Sequence, residues 1–250
     1  LLVQDGGLVK TVQFKEPRYI GDPINAVKIF NEKETDELIV LDIDASTKRL
    51  DPNFRLIGQF ARECRMPLCY GGGIKTVAQA SQIIGLGVEK IAISSAAIDT
   101  PNLITEIARE IGSQSVVVVL DVKQGRGHSD YEVRTRNGKS KTGIHPVKAA
   151  RQAEDLGAGE IVINSIDNDG MMKGYDLQLA AEVRQATHLP MSVLGGAGSL
   201  PDIGQLFATC GVVGAAAGSL FVYKGPLRGV LISYPSPAQK SEVFRFALQQ

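Results

Sequence analysis

The chain repeats itself at about half its length. Glu37-Leu38-Ile39-Val40 recurs as Glu160-Ile161-Val162-Ile163, 123 residues later. Met66-Pro67 and Gly72-Gly73 recur at the same spacing as Leu189-Pro190 and Gly195-Gly196, and Ser95 recurs as Ser219. Solenoid repeats run ~20–50 residues, so this period calls for two large units that complete each other. The repeat breaks at one place. Laying Leu1-Leu2-Val3 on Leu120-Asp121-Val122 sets an aliphatic residue, Leu2, against an acidic one, Asp121.

Short, almost continuously apolar runs alternate with longer helical patterns. The runs at 1–3, 38–43, 68–70, 90–93, 116–121, 160–163, 191–194 and 212–215 read as parallel strands buried on both faces. Between them, 23–34, 53–61, 77–86, 101–111, 146–156, 177–186 and 201–207 read as helices, several with a proline in the first turn. A further helix is expected from Pro237, and 221–236 reads as irregular. Eight strands with a half-length repeat point to a (β/α)8 barrel. It is expected to form a single domain over 1–250, with halves of about 1–115 and 116–235. Leu1-Leu2-Val3 reads as the end of a truncated first strand, so residues before it are expected. The alternating Tyr131–Arg136 segment followed by Asn137-Gly138 predicts a hairpin with a type I′ turn after the fifth strand.

Bulk composition narrows the partners. Lys+Arg and Asp+Glu both total 27, which removes any whole-surface argument for nucleic acid or an anionic membrane. No apolar run is long enough to span a bilayer, and no signal peptide is visible. Cys64, Cys69 and Cys210 have no metal or redox spacing, as expected of reduced thiols in a cytoplasmic protein. Neither a metal nor a cofactor is expected. His128, His145 and His188 lack triad or ligand partners and read as surface or capping residues.

Barrel chemistry sits at the C-terminal ends of the strands. Gly73 with Ser94-Ser95, and Gly196 with Gly218-Ser219, could each present bare backbone N–H groups to a phosphate. Glycines that merely permit tight turns are the alternative. Two such cradles imply a ligand phosphorylated at both ends. Asp121, a carboxylate ending a buried strand, suits a general acid or base; the alternative is a loop cap or a pair with Lys123. Lys10 lies in a long loop after the first strand that could act as a lid, or it is a solvated surface charge. Asp169-Gly170 reads as a turn and ligand loop. Glu37, Lys90 and Glu160 fall at strand starts, where inward charges could close the barrel or form a gate.

Tyr70-Gly71-Gly72-Gly73-Ile74, Asp121 in its strand, Ser165-Ile166-Asp167-Asn168-Asp169-Gly170 and Gly195-Gly196-Ala197-Gly198 together resemble the cyclase (HisF-like) subunit of imidazole glycerol phosphate synthase, in order up to about Tyr223. The resemblance implies a barrel paired with a glutaminase, whose ammonia enters the bottom and meets a bisphosphorylated ribulosyl aminoimidazole at the top. It makes Glu37, Lys90 and Glu160 the ammonia gate, with a fourth member expected before Leu1, and turns Glu89 toward the glutaminase. It assigns Gly73, Ser94 and Ser95 to one phosphate site and Asp169, Gly170, Gly196, Gly218 and Ser219 to the other. Asp121 and Lys10 become catalytic.

Leu2 departs from the pattern, standing where that family has its second catalytic Asp. Gln4 replaces a basic residue and Ser94 the usual Asn. With Phe14-Lys15, Tyr19–Asn25 and Ser233-Tyr234-Pro235, the chain looks like the paralogue linked to surface-polysaccharide (O-antigen) synthesis, where ammonia passes to a separate sugar amidotransferase. The histidine-pathway cyclase, a non-catalytic glutaminase activator and ammonia conduit, and a sugar-phosphate isomerase are the alternatives. The isomerase also needs two acids, and Leu2 opposes it.

Overall fold

The computed structural model describes residues 1–127 and 130–248; His128 lies outside them. Eight parallel strands follow one another around a curled sheet: β1 (Leu2–Gln4), β2 (Leu38–Asp42), β3 (Leu68–Gly71), β4 (Lys90–Ile93), β5 (Val116–Gln124), β6 (Glu160–Ser165), β7 (Met191–Leu194) and β8 (Gly214–Ala215). Each is hydrogen-bonded to its sequence neighbour from β1 through β8, the longest ladder running from Glu160 opposite Val117 to Ser165 opposite Val122. Among the described residues no ladder joins β8 to β1. The outer ring is α1 (Pro23–Glu32), α2 (Phe54–Glu63), α3 (Val77–Gly85), α4 (Asn102–Ile111), α5 (Pro146–Asp155), α6 (Leu177–Ala186), α7 (Leu200–Cys210) and α8 (Pro237–Leu248). This is a (β/α)8 barrel.

Local chemistry starts the helices where the sequence marks them. Asp22 accepts a hydrogen bond from the Asn25 N–H at 2.8 Å, and Pro23 follows in the first turn of α1. Thr76 and Gln79 form a reciprocal capping box on α3. α8 lies on α7 through the stacked Phe207 and Phe244 rings, 5.2 Å apart.

Alternation along the strands divides the apolar residues into two clusters. The larger fills the space between sheet and helices. The smaller holds Cys69, Ala92, Val117, Val119 and Val162, with Ile39, Leu41 and Leu194 against them. These residues come from β2 through β7 yet touch one another, which requires the sheet to curl around them. They line an apolar lumen.

Three connections differ from the sequence reading. The segment after β1 is a hairpin, Gly7–Val12 against Lys15–Gly21, rather than a loop. The turn after β5 falls one residue early: Arg136 and Asn137 take the left-handed backbone at φ 52° and 55°, followed by Gly138. Its flanking strands are Tyr131–Thr135 and Ser140–Lys141. Within 221–236, a ladder pairs Tyr223–Lys224 with Gly229–Val230. Among the described residues no helix is long and apolar enough to cross a membrane.

Candidate active site

The C-terminal strand ends open into one cavity of about 590 Å³ that contains Leu2, Gly73, Ser94, Asp121, Asn164 and Gly218 on its walls. Asp121 is half-buried at the end of β5. It accepts hydrogen bonds from Asn164 Nδ2 at 2.9 Å and Ser94 Oγ at 3.3 Å. Burial pushes its carboxyl up to about 6; the two hydrogen bonds oppose the rise and the charge of Asp169 adds to it. A carboxyl poised there exchanges protons near neutrality, as a general acid or base must. Lys123 does not pair with Asp121. Its ammonium goes to Asp167 at 2.6 Å, which removes the Lys123-pair reading of Asp121. Leu2 lines the same cavity and brings no proton to it.

The first glycine run, after β3, makes a close backbone surface. Gly73 has φ 74°, and a Cβ there would lie 2.8 Å from the Leu50 carbonyl oxygen. Ser94 and Ser95 follow β4 at the same rim. The Ser94 hydroxyl hydrogen is spent on Asp121, leaving its lone pairs and backbone for a ligand. Ser95 Oγ accepts the Arg136 N–H at 2.9 Å, so its own hydrogen stays available.

The second run closes around Lys10. Gly196 has φ 110°, and a Cβ there would strike the Gly174 carbonyl oxygen. Gly170, Gly196, Gly218 and Ser219 line a cleft of only about 20 Å³. The Lys10 ammonium fills the space a Gly218 side chain would take. Lys10 is 8 % exposed, which replaces the solvated-charge reading. Burial lowers its pKa, and the Asp169 charge partly restores it.

Asp169 holds the first hairpin down. Its carboxylate accepts from Thr11 Oγ1 at 2.7 Å and from the Phe14 N–H at 3.2 Å, while its backbone oxygen accepts the Gln13 N–H at 2.9 Å. Engaged in this way, the Asp169 side chain is a latch for the hairpin. Nothing in the sequence marks Thr11 or Asn164 for the site, and Arg136 and Asn137 read from the sequence only as hairpin residues. The run Leu8–Val12 holds three β-branched residues, Val9, Thr11 and Val12, a strand signal that could have placed Thr11; Asn164 looks like an ordinary buried strand residue.

At the opposite end, Lys90 Nζ lies 3.0 Å from Glu37 Oε1 and 2.8 Å from Glu160 Oε2. Burial alone would lower the Lys90 pKa, but hydrogen bonds to Glu160 and Glu37 raise it above the ordinary lysine range. Ser192 Oγ donates to Glu160 Oε1 at 2.8 Å. Glu89 accepts the Leu68 N–H at 2.7 Å and so caps the start of β3. His145 caps α5 through its contact with the Val147 N–H, and His188 is fully exposed. Among the described residues no group of three His, Cys, Asp or Glu could hold a metal ion.

The family described as histidine biosynthesis protein matches residues 1–228. A protein of Leptospira borgpetersenii, provisionally named imidazole glycerol phosphate synthase subunit HisF, is 54 % identical over 98 % of this chain and 96 % of its own. Its counterpart in Leptospira interrogans, named likewise, is 55 % identical over the same shares. The imidazole glycerol phosphate synthase subunit HisF of Alkaliphilus metalliredigens is 40 % identical over 88 % of this chain and 87 % of its own. With its barrel, the Asp121 carboxylate at the mouth and these relatives, the chain belongs to the histidine biosynthesis protein family, as a HisF-like barrel of the imidazole glycerol phosphate synthase cyclase type.

Proposed function

We propose that this barrel takes ammonia from a glutaminase partner and conducts it from the Glu37–Lys90–Glu160 ring, through the apolar lumen, to Asp121. From the mouth the ammonia passes on for amidation of a sugar in surface-polysaccharide biosynthesis. A lumen lined by Cys69, Ala92, Val117 and Val162 admits neutral ammonia and disfavours ammonium, since an unpaired charge is costly in apolar surroundings. Asp121 and Lys10 act at the mouth. The glycine–serine cradles hold the phosphate groups of a phosphorylated ligand.

The observation that carries the reading is Leu2 on the cavity wall that it shares with Asp121. The resemblance gives the cyclase two catalytic carboxyls, and of these positions only Asp121 keeps one. A general acid or base contributes ~10²–10⁴-fold. Leu2→Asp should therefore raise turnover of the bisphosphorylated ribulosyl aminoimidazole, with ammonium supplied directly, by about that factor. Wild-type turnover that already equals the variant's would overturn the loss of cyclisation and favour the histidine-pathway reading, which the names of the relatives support. The partner is tested separately. Titration with a glutaminase should form a complex and accelerate glutamine hydrolysis; no complex and no acceleration would remove the conduit.

A further inference from the structure

The two hairpins over the mouth occupy equivalent places in the two halves of the repeat. One follows β1, the first strand of the first half; the other follows β5, the first strand of the second. The first hairpin carries Lys10 to Gly218, which follows β8, the last strand of the second half. The second carries Arg136 to Ser95, which follows β4, the last strand of the first half. Each half thus reaches across to the other's cradle. The hairpins also meet: a Cβ on Gly138 would lie 3.4 Å from the Phe14 ring.

From this exchange we infer that Arg136 is the phosphate-binding cation of the Gly73–Ser95 cradle, the counterpart of Lys10 at the other. The inference rests on the phosphate reading of the cradles. The turn is pinned at two points, by the Arg136 N–H on Ser95 Oγ at 2.9 Å and by Asn137 Nδ2 on the Ile43 carbonyl at 2.7 Å. That fixes the Arg136 backbone at the cradle rim, and its side chain lines the cavity. The guanidinium is half exposed. It spends one nitrogen on Asp99 at 3.0 Å and makes a long contact to Ser140 Oγ at 3.4 Å, leaving N–H donors for an anion. Lys75 lines the same rim but is tied down by the carbonyls of Arg49 and Leu50, both at 3.2 Å. The consequence is specificity: this end of the cavity takes a phosphate monoester and rejects an uncharged sugar.

Titration with inorganic phosphate, followed through the backbone amide signals of the full chain, reads the two cradles separately. Ser95 and Gly73 report one, and Gly196 and Gly218 the other. Arg136→Met should weaken the phosphate affinity read at Ser95 by about tenfold to a hundredfold, the usual worth of a charge-assisted hydrogen bond, and leave that at Gly218 unchanged. Asp99→Asn keeps the guanidinium while breaking its ion pair, and should retain or tighten binding. Unchanged affinity at Ser95 in Arg136→Met would overturn the inference alone. Equal losses in Asp99→Asn and Arg136→Met would also overturn it, by making Arg136 a strut for the turn. A wild-type chain with no phosphate response at either cradle would overturn the phosphate reading itself.

Discussion

Asp121 sits in the native state at a cost. Its carboxyl titrates at about 6 there, against ~3.9 in an unfolded chain. Between those values the folded state binds the extra proton, so stability falls as pH rises from about 4 to about 6 and stays lowered above. The span of the shift sets a ceiling of roughly 3 kcal/mol. Asp121→Asn keeps an acceptor for Asn164, turns an N–H donor to the Ser94 hydroxyl, and cannot ionise. Chemical denaturation should find it more stable than wild type by ~1–3 kcal/mol at pH 8 and no more stable at pH 4. An equal gain at both pH values would mean that the site is not strained by charge. The same titration predicts that any reaction using Asp121 as a base gains rate as pH climbs through about 6. Leu2 cannot replace that group, so the limb should be single on the acid side.

The two hairpins are the elements that narrow the mouth of the barrel over the site. The first is held through a few polar contacts, chiefly Thr11 and Phe14 on the Asp169 carboxylate. Thr11→Val removes the shortest of them and leaves a buried carboxylate short of a donor, a loss of ~1.5–3 kcal/mol for a bond to a charged group. Because the hairpin is a local unit, the cost should appear as local opening. Amide exchange over Gly7–Val12 should quicken by about tenfold or more while β5 and β6 keep their protection. Uniform acceleration across the barrel would show that the latch supports the whole fold instead. These elements also mark where sequence reading stopped. The strands were legible because double burial leaves long apolar runs, and the glycine runs because few other residues tolerate their backbone. Asp121 stood out as a charge within such a run. The latch was not legible, since Thr11 and Asp169 lie 158 residues apart and neither is unusual locally. Nor was the meeting of the hairpins, which depends on how two turns fall across the mouth.

At the scale of the molecule, the two faces of the barrel do different work. The ring of Glu37, Lys90 and Glu160 puts a paired cation at the bottom, and the cavity at the top gathers glycines and cations. Between them the lumen offers few polar groups, which suits the neutral ammonia of the proposed route. Ala92 is among its smallest walls, 3.0 Å from where a Gly71 Cβ would stand. Ala92→Phe should obstruct the lumen at an overpacking cost of ~1–3 kcal/mol. In complex with a glutaminase, the variant should still allow glutamine hydrolysis, but the ammonia should escape to bulk solvent instead of reaching the acceptor. Reaction driven by added ammonium salt should persist, because the open mouth admits ammonia from above. Measuring ammonia released against acceptor aminated separates these routes. A variant that still delivers one ammonia per glutamine would send the ammonia by some path other than the lumen, and the ring at the bottom would then be a brace for the strand starts.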